Sequence, residues 1–223
     1  MKELDEYIKD NVNWKHKLIL ETGCARYGPN EYKQYIGGVL TKVVPGTYIF
    51  SELANEHDIK FYCVDWNSDQ IEIAKRHITN ENTEFVCAAT HDYLTHLIEE
   101  KIKADFIYLD SSNDMHYILK EFKLSLELVD VGSVICIDDY RADKCTLIEK
   151  YMIYSGHPYE ADAKEYIRAK MYIKFTEEMI TEMKTSFPIF YNQYDWAKLD
   201  SEFRENQHEY ENNMSYINIG MDT

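Results

Sequence analysis

Two apolar runs that each stop on acid constrain this chain more than any other feature. Asp105-Phe106-Ile107-Tyr108-Leu109-Asp110 sets four bulky residues between two carboxylates. So short a run, with no polar alternation, predicts a strand buried on both faces, the kind found in parallel sheets. Ser133-Val134-Ile135-Cys136-Ile137-Asp138-Asp139 repeats the pattern, with a helix-like segment between the two. An acid ending such a strand stands at the carboxyl edge of the sheet, where open α/β folds bind their ligands. If both strands share a sheet, Asp110, Asp138 and Asp139 converge on one small volume.

The rest of the chain supplies the same units. Leu4, Ile8 and Val12 predict a helix within residues 1–16. Lys17-Leu18-Ile19-Leu20-Glu21 is a first strand that runs into Thr22-Gly23-Cys24-Ala25, where glycine permits a tight turn and close approach of a ligand. Residues 26–46 are polar and tyrosine-bearing, punctuated by Gly28-Pro29, Gly37-Gly38 and Pro45-Gly46. They are expected to form an inserted loop with a short helix near Asn30 to Tyr35, either folding over a ligand or making a surface excursion.

Thr47 is expected to cap the next helix, with Ile49, Phe50, Leu53 and Ala54 inward. Lys60-Phe61-Tyr62-Cys63-Val64-Asp65 is the second strand, again ending in an acid. Ser68 is expected to cap a helix whose inner face is Ile71, Ile73, Ala74 and Ile78. A third strand over 83–88, a helix opened by His91-Asp92, a helix over 113–129 stopped by Gly132, and another over 143–154 complete five alternations of strand and helix. That is the signature of a doubly wound α/β sheet. Beyond Gly156, the spacing of Ile167, Met171, Phe175, Met179 and Met183 favours one long amphipathic helix over a strand at 171–175. Phe187-Pro188-Ile189-Phe190-Tyr191 and Ser215-Tyr216-Ile217-Asn218-Ile219 are candidate edge strands, separated by the polar stretch Asp200 to Asn213. On this reading residues 161–223 complete the domain built by 1–160.

The chain's 223 residues suit a single domain. No apolar run approaches the roughly 20 residues of a membrane span. Met1-Lys2-Glu3-Leu4-Asp5-Glu6 lacks the apolar core of a secretion signal, so a cytoplasmic protein that does not engage membrane is expected. A net charge of −16 argues against nucleic acid as a partner, because phosphates would be repelled. Five cysteines show no CxxC or Cys/His zinc spacing. Cys63, Cys87 and Cys136 lie in apolar runs and are expected to be buried thiols, whereas Cys24 lies in the glycine turn.

The first strand, its glycine turn and Asp65 resemble a nucleoside-binding half. A strand-final acid can accept hydrogen bonds from both ribose hydroxyls, and turn N–H groups can hold an anion. One glycine in place of G-x-G-x-x-G favours a cofactor ending in a simple carboxylate over a dinucleotide. S-adenosylmethionine fits, and its sulfonium suits an acidic site.

Taken in order, Glu21-Thr22-Gly23-Cys24-Ala25-Arg26, Val64-Asp65, Ile107-Tyr108-Leu109-Asp110 and Val134-Ile135-Cys136-Ile137-Asp138-Asp139 resemble the successive motifs of Rossmann-like class I S-adenosylmethionine-dependent methyltransferases, nearest the small-molecule and sugar O-methyltransferases. The resemblance implies Glu21 and Gly23 at the methionine end of the cofactor, with Cys24 and Thr47 beside them. It implies Asp65 at the ribose and His91-Asp92 near the adenine. Trp66 either stacks on that base or covers the sheet edge. In metal-dependent members the acids matching Asp110, Asp138 and Asp139 hold a divalent cation, which implies Mg²⁺ and a diol-bearing acceptor. Catalytic candidates are Asp110, and Asp114 or His116 as the base. Where related sequences carry a D-G-D-H-like run, this chain reads Asp110-Ser111-Ser112-Asn113-Asp114-Met115-His116. Two other readings stay open: a metal-independent methyltransferase in which Asp138 and Asp139 touch substrate directly, and a non-catalytic binding module. The segment Ile167 to Met183 either covers the sheet or seals a homodimer.

Overall fold

The two acid-terminated runs lie side by side near the centre of one sheet. A computed structural model describes residues 4–31, 33–36, 39–139, 143–162 and 170–192. Its elements are α1 (Leu4–Asn11), β1 (Leu18–Thr22), β2 (Lys33–Ile36), β3 (Val39–Lys42), α2 (Gly46–His57), β4 (Lys60–Asp65), α3 (Ser68–His77), β5 (Thr83–Cys87), α4 (Thr90–Glu99), β6 (Phe106–Leu109), α5 (Met115–Leu128), β7 (Val134–Ile137), α6 (Asp143–Ser155), β8 (Glu160–Asp162), β9 (Lys170–Lys174) and α7 (Glu177–Asn192). The main sheet has seven strands in the order β5-β4-β1-β6-β7-β9-β8. Strands β5 to β7 are parallel, and β9 and β8 add antiparallel at the far edge. This is a Rossmann-like α/β fold.

Residues of the central strands serve two cores by alternation, since successive side chains point to opposite faces. Ile19, Phe61, Phe106, Tyr108 and Val134 pack toward α1, α2 and α3. Leu20, Ile107, Leu109, Ile135 and Ile137 pack toward α4, α5, α6 and α7. Phe106, Ile107 and Leu109 are fully buried, each contributing about 1.5–3 kcal/mol by leaving water. The register levels the strand ends. Thr22 pairs with both Val64 and Leu109, and Leu109 pairs with Ile137. Gly23, Asp65, Asp110 and Asp138 therefore follow one another along a single edge.

The acid at the other end of β6 has a different task. Asp105 is buried, and its carboxylate accepts the N–H groups of His16 at 2.9 Å and Leu18 at 3.1 Å, fastening the start of β1.

Several expectations are corrected. In place of the helix expected near Asn30 to Tyr35, β2 and β3 pair antiparallel, Lys33 opposite Lys42 and Ile36 opposite Val39; Tyr35, Ile36, Val39 and Thr41 prefer strands. The cap position of α2 is Pro45, not Thr47, and makes no side-chain bond; proline's restricted φ, here −61°, suits that entry. Asn67, not Ser68, caps α3 by accepting Asp69 N–H at 2.9 Å. Ile73 and Ile78 are half-buried rather than in the core, and Cys87, on the edge strand β5, is exposed.

The long helix expected across 167–183 is two elements. A spacing of four is also a multiple of the strand period of two, so Met171 and Ile173 share one buried face of β9 while Tyr172 stacks on Tyr7 from the other at 3.8 Å. The run 187–191 is helical. Met179, Met183 and Phe187 continue one inward stripe along α7, placing Phe187 against Phe122 and Tyr151, with ring centroids at 5.0 and 4.9 Å. Pro188 lies within that helix and gives up one N–H donor. Ile167, Asp200 to Asn213 and the strand expected at Ser215 to Ile219 lie outside the described residues. Among the described residues no helix is long and apolar enough to cross a membrane.

Candidate active site

A cleft of about 1470 Å³ opens along the carboxyl edge of β4, β1, β6 and β7. Small-molecule pockets commonly enclose about 300–1,000 Å³, so this one has room for a nucleoside cofactor and an acceptor together. Glu21, Gly23, Cys24, Thr47, Asp65, Trp66, Asp110, Asp138 and Asp139, all expected from the sequence, line it. A shallower depression along α7, lined by Thr176 to Thr185, carries none of these groups.

At one corner β1 and β4 form a rigid cradle. Gly23 has φ +91°, and its N–H donates to Val64 carbonyl at 2.8 Å. A Cβ there would stand 2.5 Å from the Asp110 carbonyl oxygen, so only glycine permits the turn to cross the end of β6 this closely. The next N–H, from Cys24, donates to Asp65 Oδ2 at 2.8 Å, and Asn67 N–H donates to Oδ1 at 2.8 Å. These bonds, with the Gln70 side-chain amide donating to Oδ2 at 3.0 Å, fix the carboxylate's plane, while Oδ1 keeps a lone pair for a further donor. Trp66, 69% exposed, projects beside it. Thr47 ties α2 to the same turn, its hydroxyl accepting Ala25 N–H at 2.9 Å.

Glu21 lies behind this corner. It is 3% exposed, and its Oε2 has no hydrogen-bond partner among the described residues. Burial, with Cys24 and Asp110 adding to it against the bonds from Thr47 and Cys63, pushes its pKa well above the ordinary carboxyl value. A neutral carboxyl is the form this pocket favours.

The other end of the cleft is charged. One carboxylate oxygen from each of Asp110, Asp138 and Asp139 lies within 4.8 Å of the others. Oxygen donors in that number suit a hard cation such as Mg²⁺. The place beside Asp138 is nonetheless taken, because Lys170 Nζ donates to Asp138 Oδ1 and, at 3.0 Å, to the Tyr108 hydroxyl. A divalent ion held by all three acids would have to share Asp138 with Lys170. Burial alone would lower the lysine's pKa; Asp138, with Asp110 beyond it, more than reverses this and leaves the ammonium above its ordinary value. Burial, reinforced by Asp138 and Asp110, likewise keeps Tyr108 a neutral phenol.

Four candidates do not line the cleft. Asp114 caps α5, its Oδ1 accepting Tyr117 N–H at 2.8 Å. His116 stacks on Tyr191 of α7, ring centroids 5.9 Å apart. His91 stacks on Tyr117 at 4.0 Å, and burial lowers its pKa. Asp92 lies in the first turn of α4. Sequence reasoning missed Lys170 and Tyr108, the first inside a segment expected to be helical and the second inside an apolar run. A lysine opening a short apolar strand was the available signal.

Residues 36–140 match a family model described as a methyltransferase domain, the match beginning after the first strand and its glycine turn. No curated protein matches the chain. Among solved structures, an O-methyltransferase from Bacillus cereus in complex with S-adenosylhomocysteine is 18% identical, covering 77% of this chain and 79% of that one, with a TM-score of 0.50. A TDP-rhamnose 3'-O-methyltransferase of calicheamicin biosynthesis is 11% identical over 78% of each chain, TM-score 0.53. An rRNA methylase from Streptococcus thermophilus is 12% identical over 77% of this chain and 94% of that one, TM-score 0.52. At these identities the likeness is one of fold, shared by proteins with different acceptors.

Proposed function

We propose that this chain, a class I S-adenosylmethionine-dependent methyltransferase by its domain match and its fold, methylates a hydroxyl oxygen on a small, hydroxyl-rich acceptor such as a sugar or a diol. The observation that carries the reading is that one cleft joins the Gly23–Asp65 corner to the Asp110–Asp138–Asp139 cluster. Asp65 takes the ribose hydroxyls, Trp66 lies against the base, and the turn at Gly23 meets the methionine end. The cluster and Lys170 then receive the acceptor.

In the transfer, an acceptor oxygen attacks the sulfonium methyl carbon in line with the C–S bond. The new O–C bond forms as C–S breaks, sulfur keeps the electron pair to become the thioether of S-adenosylhomocysteine, and the hydroxyl proton passes to a carboxylate of the cluster. Holding the two reactants within one cleft removes much of the entropic barrier, which is the main help such a displacement needs. The net charge of −16 supports a small acceptor over RNA.

Calorimetric titration with S-adenosylhomocysteine tests the reading. Micromolar binding is expected in the wild type, and Asp65→Ala should weaken it by roughly 10- to 100-fold, the loss of hydrogen bonds to a charged acceptor. Absence of binding to a demonstrably folded sample refutes the proposal.

A further inference from the structure

The acidic cluster has a built-in counter-charge that the sequence motifs did not anticipate. Strand β9 pairs antiparallel with β7, Ile137 opposite Met171, so one step further along the register Lys170 faces Asp138. The side chains of Lys170 and Asp138 are only 16% and 18% exposed, so neither is a solvated surface charge. The ammonium also lies 5.3 Å from the Tyr108 ring centroid and bonds its hydroxyl, an aromatic wall that holds it in place from β6. Three strands thus agree on where this one cation sits.

We propose that Lys170 is the cation paired with Asp138 in the acidic cluster, standing where a divalent ion would otherwise draw on that carboxylate, so that the cleft excludes Mg²⁺ and works without it. This inference rests on the methyltransferase reading for its catalytic meaning, though not for its geometry. Three carboxylates with oxygens this close repel one another and need a cation to stay ionised together. Lys170 supplies one covalently, at fixed position, with no dependence on metal supply. An ammonium has three N–H donors. Two are used on Asp138 and Tyr108, which leaves one for an acceptor oxygen. Lys170 is accordingly a positioning residue. It holds Asp138 in its rotamer and presents a single donor to the acceptor, where a metal ion would chelate two oxygens. The demand on the acceptor relaxes with it: one hydroxyl beside an acidic wall suffices, and a vicinal diol is not needed.

Titrating Mg²⁺ alone into the full chain by calorimetry decides the point. The wild type should show no saturable binding up to about 1 mM, the weak end of biological divalent sites. Lys170→Met, which removes the ammonium and its charge from Asp138, should gain saturable Mg²⁺ binding at least about tenfold tighter, the scale on which groups around a metal site tune affinity. Lys170→Gln is the second neutral variant should the methionine variant fail to fold, and Lys170→Arg, which keeps the charge, should behave as the wild type. Saturable wild-type binding tighter than about 1 mM, or equal affinity in the wild type and the neutral variants, overturns the inference. S-adenosylhomocysteine titrated into the same samples keeps the two ideas apart. A wild type that binds both it and Mg²⁺ refutes the role of Lys170 alone, whereas one that binds no S-adenosylhomocysteine refutes the methyltransferase reading and leaves the Mg²⁺ comparison to judge Lys170.

Discussion

The Ser111 hydroxyl donates to Glu121 Oε1 at 2.6 Å, linking the residue after Asp110 to a carboxylate buried in α5. Glu121 also accepts from the Thr22 hydroxyl at 3.2 Å and from Thr90 at the start of α4. One buried acid therefore gathers the end of β1, the loop after β6 and the start of α4 through hydroxyl donors.

Removing that acceptor should loosen all three segments at once. Glu121→Ala is expected to cost about 2–4 kcal/mol in urea denaturation, since it leaves buried hydroxyls unpaired as well as a cavity. Glu121→Gln keeps one acceptor oxygen and should cost about half as much. Both should weaken S-adenosylhomocysteine binding, because Ser111 fixes the strand end that Gly23 packs on.

The two glycines at +91° and +89° separate strain from collision. A Cβ at Gly132 would meet nothing within 4 Å, whereas one at Gly23 would strike the Asp110 backbone. Gly132→Ala should therefore lose only the roughly 1–3 kcal/mol of an unfavourable φ and keep its cofactor affinity. Gly23→Ala should lose more in a thermal melt and bind S-adenosylhomocysteine more than about tenfold more weakly, as β1 and β6 are pushed apart. Equal behaviour of the two variants would refute the close crossing as the reason for glycine.

Glu21 gives a pH dependence of defined sign. Its folded pKa lies well above its unfolded value because burial disfavours the charged form. Between those two values the folded chain binds the proton and the unfolded chain does not, so this group's contribution falls as pH rises from about 4.5. Glu21→Gln keeps the shape and cannot ionise. Its stability relative to the wild type should increase with pH above about 4.5, measured by urea denaturation across pH 4 to 8, and a difference independent of pH would show that Glu21 is ionised in the folded chain.

Much of this was legible in the chain because parallel strands are buried on both faces. Phe106 to Leu109 and Val134 to Ile137 had to be apolar throughout, and the acids that end them had to fall at one edge. The same reasoning was silent on Asp105, which looks like Asp110 in sequence and yet fastens His16 and Leu18 at the opposite edge. It misread Met171 to Phe175, since a four-residue spacing satisfies the periods of helix and strand alike. It placed Asp114 and His116 near the chemistry by proximity along the chain, while the start of α5 turns the first into a cap and the second toward Tyr191.

Local sequence alone determined the alternation of strand and helix, the glycine at the first turn and the acids at the strand ends, because each depends on burial period or backbone freedom within a few residues. Only the tertiary structure decided that Lys170 faces Asp138. That pairing joins residues 32 positions apart through an antiparallel register, set by which side chains of β9 are buried against the sheet, and no periodicity along the chain encodes it.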